Sequence, residues 1–263
     1  MKPRVFATLL SLSLAPTYAG VIVDFSPPAV GGGLGVAAAP RVATPNPGND
    51  NPAGAGASPN VVEITKRFDH VAEIDMEFRV RNTGASTEYF FTDTVTNNTG
   101  VDWTDFHFEL GFGTGANFVR SGLLDFLDFD CPIPGVPAPT SGVFARLAHH
   151  CNTIDWDMGV VKAGAMTVFT FSIDTPDMLA ALFDNANPPG PVPASARIPN
   201  DGFGAFPNGG YRFTLREIPT VTPTDPPPDD RKQGEALPEP GSIGFMLFGC
   251  AALATCRRFA RRS

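Results

Sequence analysis

Apolar and polar residues alternate with period two through the middle of the chain, from Val61 onward. Ile74, Met76, Phe78 and Val80 fall on one side of an extended segment, and Glu73, Asp75, Glu77, Arg79 and Arg81 on the other, as a strand with one buried face requires. A turn at "NTGAST" leads into "TEYFFTDTVTNN", which is rich in aromatic and β-branched residues. "NNTG" turns again into "WTDFHFELGF", with Phe106, Phe108, Leu110 and Phe112 inward and Asp105, His107 and Glu109 outward. These three segments predict an antiparallel meander. "TIDWDMGVV", "MTVFTFSID" and "YRFTLREI" resume the pattern, the last with Tyr211, Phe213 and Leu215 on one face. Strands of this length between turns predict an all-β fold, an antiparallel two-sheet β-sandwich over residues 61–218. One short helix is expected where Asp174, Thr175 and Pro176 supply cap and first-turn residues to "DMLAALF".

The alternation stops on both sides of this block. Residues 20–60 open with "VIVDF", which predicts an edge strand. The remainder is small residues and prolines without periodicity, which predicts a disordered linker. Residues 219–237 are dense in proline and predict a semi-rigid, extended spacer. At the start of the chain, Lys2 and Arg4 precede an apolar run from Val5 to Leu14, and Thr17 and Ala19 put small residues where a signal peptidase reads. The expectation is a signal peptide over residues 1–19, cleaved between Ala19 and Gly20; the alternative is a short buried helix. At the other end, Gly241 to Cys256 carries no charge, and its 16 residues span about 24 Å as a helix against about 30 Å of hydrocarbon. Arg257, Arg258, Arg261 and Arg262 then form a basic cluster that suits the cytoplasmic side of a membrane and leaves the sandwich outside. The alternative is a C-terminal helix packed on the domain.

Charge changes the picture once the ends are set aside. Six of the 19 basic residues lie in the two terminal segments, so 13 remain between Gly20 and Pro240 against all 27 acids. A body this acidic repels phosphate polyanions and argues against nucleic-acid binding. Of four cysteines, Cys250 and Cys256 lie in the apolar tail, and Cys131 and Cys151 are alone in the body. In an oxidising compartment the latter two are expected to form a disulfide; two free thiols are the alternative.

The order Pro238-Glu239-Pro240, apolar segment and arginine cluster resembles the PEP-CTERM sorting signal of Gram-negative bacteria. It covers residues 238–263, with Leu237 where valine is frequent and an apolar stretch on the short side. The resemblance implies an exosortase as transient partner, passage through the inner membrane, and release of the body to the cell surface or exopolysaccharide. The body is similar to the β-sandwich domains called choice-of-anchor domains, through "EYFFTDTVTNNTGVDWTDFHFELGFGTG", "GLLDFLDFD" and "IDWDMGVVKAGAMTVFTFSIDTPD". That similarity implies fold and location, not chemistry.

Few residues of the body suggest a reaction. His149, His150 and Cys151 invite a metal, but neighbours on a strand project to opposite faces. Asp125, Asp128 and Asp130, with Asp155 and Asp157, are the densest acids. Asp155 and Asp157 share a face opposite Trp156 and are the calcium candidates, although the spacing matches no EF-hand. The serines lack a G-x-S-x-G elbow, and His70, His107, His149 and His150 have no recognised partner spacing. "GFGTGAN" opens no periodic helix, and Asn97-Asn98-Thr99 reads as a turn more simply than as a glycosylation site. The expectation is an exported structural or binding module without catalysis or cofactor. The alternatives are carbohydrate binding by exposed Trp103 and Trp156, and hydrolysis by a carboxylate pair such as Asp155 and Asp157.

Overall fold

A computed structural model of the protein describes residues 20–51, 56–83, 86–122, 125–132, 134–176, 196–198 and 209–222. Two sheets face each other across an apolar core, a β-sandwich. The first contains β1 (Gly20–Val30), β5 (Ile74–Asn82), β14 (Gly210–Thr220), β7 (Asp105–Phe112), β11 (Thr153–Asp157) and β10 (Arg146–His150), hydrogen-bonded in that order. β8 (Val119–Arg120) pairs with β7, and β13 (Arg197–Ile198) with β14. The second contains β2 (Leu34–Ala37), β4 (Val61–Phe68), β6 (Thr87–Asn97), β12 (Met166–Thr175) and β9 (Thr140–Ser141), in that order, and β3 (Arg41–Ala43) pairs with β4. Among the described residues, no helix is long and apolar enough to cross a membrane.

The inward rows are those the alternation predicts. Ile74, Met76, Phe78 and Val80 are fully buried, as are Phe106, Phe108 and Leu110 and the row Tyr211, Phe213, Leu215. Aromatic rings knit the two sheets edge-on and in stacks: Phe78 meets Phe91 at 5.8 Å between centroids, Phe106 meets Phe169 at 4.7 Å, and Phe108 meets Phe171 at 4.9 Å. Such pairs add to the burial of area that drives folding.

Four expectations change. The segments β5, β6 and β7 are not a meander. β5 and β7 lie in the first sheet with β14 between them, and β6 lies in the second between β4 and β12. Period two says that one face of a strand is buried, not which strand is its neighbour. Second, the sandwich is not wholly antiparallel, because β4 and β6 run parallel, from Val61↔Phe90 to Phe68↔Asn97.

Third, the described residues between 20 and 60 are not a linker. β1 is indeed an edge strand, but it runs on to Val30 along β5, with register shifts at Ile22/Asp24 and Ser26/Val30. β2 and β3 both line β4. Apolar periodicity is weak here because the order comes from hydrogen bonds. Asn60 Nδ2 donates to Asn46 O (2.9 Å) and Glu88 O (3.0 Å), and Asn46 N donates to Asn60 Oδ1 (2.9 Å). Gly31, at φ 132°, lets the chain pass where a Cβ would meet Glu73 O at 2.2 Å.

Fourth, Asp174 and Thr175 belong to β12 rather than to a helix cap. The "DMLAALF" helix lies outside the described residues, as do the signal peptide, the spacer beyond Thr222 and the tail. β14 carries the domain two residues past Ile218.

Candidate functional site

The predicted disulfide is present. Cys131 and Cys151 are bonded, with Cα atoms 4.3 Å apart, and Phe129 N donates to Cys151 O at 2.6 Å. His149, beside it on β10, is half-buried with Nε2 2.8 Å from Phe129 O, and burial lowers its pKa. His150 is exposed, so the two imidazoles diverge as the strand geometry requires.

Asp155 and Asp157 do share the outer face of β11, yet each is occupied by a side-chain partner instead of converging on an ion. Asp155 Oδ1 is 2.7 Å from His107 Nδ1, and Asp157 takes a two-pronged contact from Arg146 at 2.5 Å to each oxygen. The hydrogen bonds from Arg146 hold the Asp157 carboxyl below its ordinary pKa, so it is no proton donor for hydrolysis. Among the described residues, no group of three or more His, Cys, Asp or Glu is placed to hold a metal ion. Trp103 and Trp156 are not exposed platforms either. They are 0% and 4% exposed, packed on Phe68 and Phe169 respectively, because both sit in inward register. Asn97 is also buried, its Nδ2 donating to Val101 O and Val161 O, which is a turn lock and not a glycosylation site.

Two clusters went unread in the sequence. One lies at the disulfide end, where Asp128 and Asp130 meet Asp174, Glu88 and Asp50. Asp174 N donates to Asp128 O at 2.9 Å, and Glu88 faces Asp174 across the β6–β12 register. Burial, reinforced by the surrounding acids, pushes Asp174 up to about 9, and Asp128 and Asp130 to about 6. Glu88 is raised by burial as well, while accepting from Ser172 Oγ (2.8 Å) and Asn51 N (2.9 Å). Among the described residues no cation pairs with this group, so it is electrically quiet only where its members keep protons.

The other cluster lies between the sheets. Lys66 of β4 reaches Asp93 Oδ1 of β6 at 2.6 Å and Glu217 Oε1 of β14 at 2.5 Å, and all three side chains are 0% exposed. Met76 Sδ lies 3.9 Å from the ammonium. Burial works to lower the Lys66 pKa, but the charges of Asp93 and Glu217 and their hydrogen bonds outweigh it and hold the pKa above the ordinary value. Burial, then the Asp93 charge, pushes the Glu217 pKa well above its ordinary value, which favours its neutral form. The sequence did hold a signal. Each of the three sits at a core position of an otherwise apolar inward row: Val62-Ile64-Lys66-Phe68, Phe91-Asp93-Val95 and Phe213-Leu215-Glu217. A charge in the inward register of a strand is the anomaly to look for.

A third buried pair secures the outer side of the first sheet. Asp75, predicted outward, is fully buried under the 3₁₀ turn at Gly115–Asn117. Arg216 bonds both its oxygens at 2.7 and 2.8 Å and lies 3.9 Å over the Phe118 ring. This is a structural clamp with no open face.

Comparison with family models, curated proteins and solved structures finds no significant match to this chain.

Proposed function

We propose that this protein is an exported structural module of the cell surface or exopolysaccharide matrix, delivered by a PEP-CTERM tail and without catalysis of its own. The observation that carries the proposal is the tripartite tail, Pro238-Glu239-Pro240, the uncharged run 241–256, and Arg257, Arg258, Arg261 and Arg262, on a chain that opens with a signal-peptide pattern. The Cys131–Cys151 bond supports it, since such bonds persist in oxidising compartments outside the cytoplasm. The exosortase is the transient partner, the inner membrane the intermediate station, and the surface or its polysaccharide the destination. The burial of Trp103 and Trp156 and the pairing of Asp155 and Asp157 support a scaffold over the sugar-binding and hydrolytic alternatives.

The test is to express the full chain in a Gram-negative host with and without its exosortase and to weigh the product. The expected mature chain begins at Gly20 and lacks the arginine cluster. Without the exosortase, or with Glu239→Ala, the tail is retained and the protein stays with the inner membrane. Release of a chain that keeps residues 241–263 in both hosts would overturn the proposal.

A further inference from the structure

The central cluster is arranged for more than an ion pair. Lys66 and Asp93 stand on neighbouring parallel strands of one sheet, and the register Ile64↔Asp93 sets the two side chains one inward step apart. Their neighbours are apolar on every side shown by the pairing: Ile64 and Phe68 flank Lys66, Phe91 and Val95 flank Asp93, and Phe169 lies opposite Asp93 on β12. Glu217 descends from the facing sheet, between Ile74 and Phe108 in its own register. As separate groups these three fit their surroundings poorly. Asp93 Oδ2 and Glu217 Oε2 are buried with no hydrogen-bond partner, and Glu217 Oε1 has only its contact with Lys66 Nζ. A charge pair enclosed this fully gives up the hydration of both its members.

The geometry points to a covalent end state: Lys66 and Asp93 condense to an intramolecular amide between β4 and β6, with Glu217 as the proton carrier. The ammonium first passes a proton to Asp93 Oδ1 over 2.6 Å, leaving a neutral amine beside a neutral carboxylic acid. In a dry site this exchange removes two opposite charges, and neither neutral form needs the lost hydration. The amine lone pair then forms the Nζ–Cγ bond. Glu217 gives its proton to the departing hydroxyl, which leaves with its bonding electrons as water, and takes a proton back from the nitrogen. Ammonium plus carboxylate have become amide plus water, and Glu217 ends protonated as it began. No oxidant, metal or external activating group enters.

Fixed juxtaposition supplies what amide formation lacks in free solution, since two strands hold Lys66 Nζ 2.6 Å from an oxygen of the Asp93 carboxyl and both side chains are 0% exposed. Glu217, neutral and within reach of the same ammonium, acts as general acid and base. The product also explains the orphaned oxygens. Asp93 Oδ1 departs as water, the orphaned Oδ2 becomes the amide carbonyl, and the Glu217 proton is left to bond it. The inference stands apart from the sorting proposal, because it concerns only residues within the sandwich.

Intact-mass measurement of the full chain, folded, then reduced and denatured, tests it directly. The expected mass is that of the sequence, corrected for any signal cleavage, less one water. Digestion should yield one branched peptide joining the segment with Lys66 to that with Asp93. Lys66→Arg and Glu217→Gln should each restore the full mass, and Asp93→Ala likewise. A wild-type chain at full mass with an unlinked Lys66 peptide overturns the inference. So does a water loss mapped to any other pair, including Lys66 with Glu217. If folded Glu217→Gln forms the link as fast as wild type, the proton-carrying role of Glu217 falls. The wild-type measurement needs no variant to fold.

Discussion

The two ionisable clusters of this sandwich solve one problem in opposite ways. In the middle, Lys66 stands among carboxyls with 0% exposure; at the disulfide end, Asp128, Asp130, Asp174 and Glu88 crowd together with no cation among the described residues. The first keeps acids in the core by giving them a counter-charge. The second keeps them by letting them hold protons, at the sacrifice of stability wherever the solution takes those protons away. Neutralisation by a lysine works at any ordinary pH, whereas neutralisation by protons works only below the raised pKa.

Removing the cation should break this contrast most severely. Lys66→Ala turns the centre into an all-acid cluster without solvent, and urea unfolding should show a loss of about 3–5 kcal/mol. A loss within error would mean that the lysine is not what lets Asp93 and Glu217 stay buried. Next comes the bond that holds the acidic end together. The paired substitution Cys131→Ala and Cys151→Ala frees a loop with sequence separation 20 and should lower stability by about 3 kcal/mol in the same assay. An unchanged midpoint would place the order of that end elsewhere.

The pH dependence is a smaller and more specific test. The folded pKa values of Asp128, Asp130 and Asp174 lie above the ordinary 3.8, so the folded chain binds protons more tightly than the unfolded one. Their contribution is complete below about pH 4. It is lost as pH rises through about 6 for Asp128 and Asp130 and towards about 9 for Asp174. The melting temperature should therefore fall between pH 5 and 8 on account of this cluster, and Asp174→Asn should flatten the upper part of the slope and raise stability at pH 8. A slope that persists unchanged in Asp174→Asn would remove Asp174 from the account. At the surface, Arg146→Ala breaks the contact of this exposed arginine with Asp157, and thermal melts should not move measurably, because solvent screens such pairs.

The sequence made some of this legible and hid the rest for identifiable reasons. The inward rows of β5, β7 and β14 follow from alternation alone, and the Cys131–Cys151 bond from composition and compartment. Strand partners did not follow, since β5, β6 and β7 carry the same pattern whether they pair or cross between sheets. β2 and β3 were missed because edge pairing and the Asn60 hydrogen bonds, not apolar side chains, hold them in place. Trp103 and Trp156 read as surface aromatics only while their register was unassigned. The acidic end escaped notice because it unites residues as distant as Glu88 and Asp174, which only the β6–β12 register brings together. Lys66, Asp93 and Glu217 were visible one at a time as misfits in apolar rows; their meeting depends on the packing of two sheets.

β14 has a further consequence, one of timing. It is the last described strand, yet it occupies an inner place in the first sheet, hydrogen-bonded to β5 on one side and β7 on the other. A growing chain cannot close this sheet until residues near 220 have been made and freed, and contacts so distant in sequence form slowly. The first sheet therefore stays in two parts, β1–β5 and β7–β11–β10, until the final strand arrives to join them.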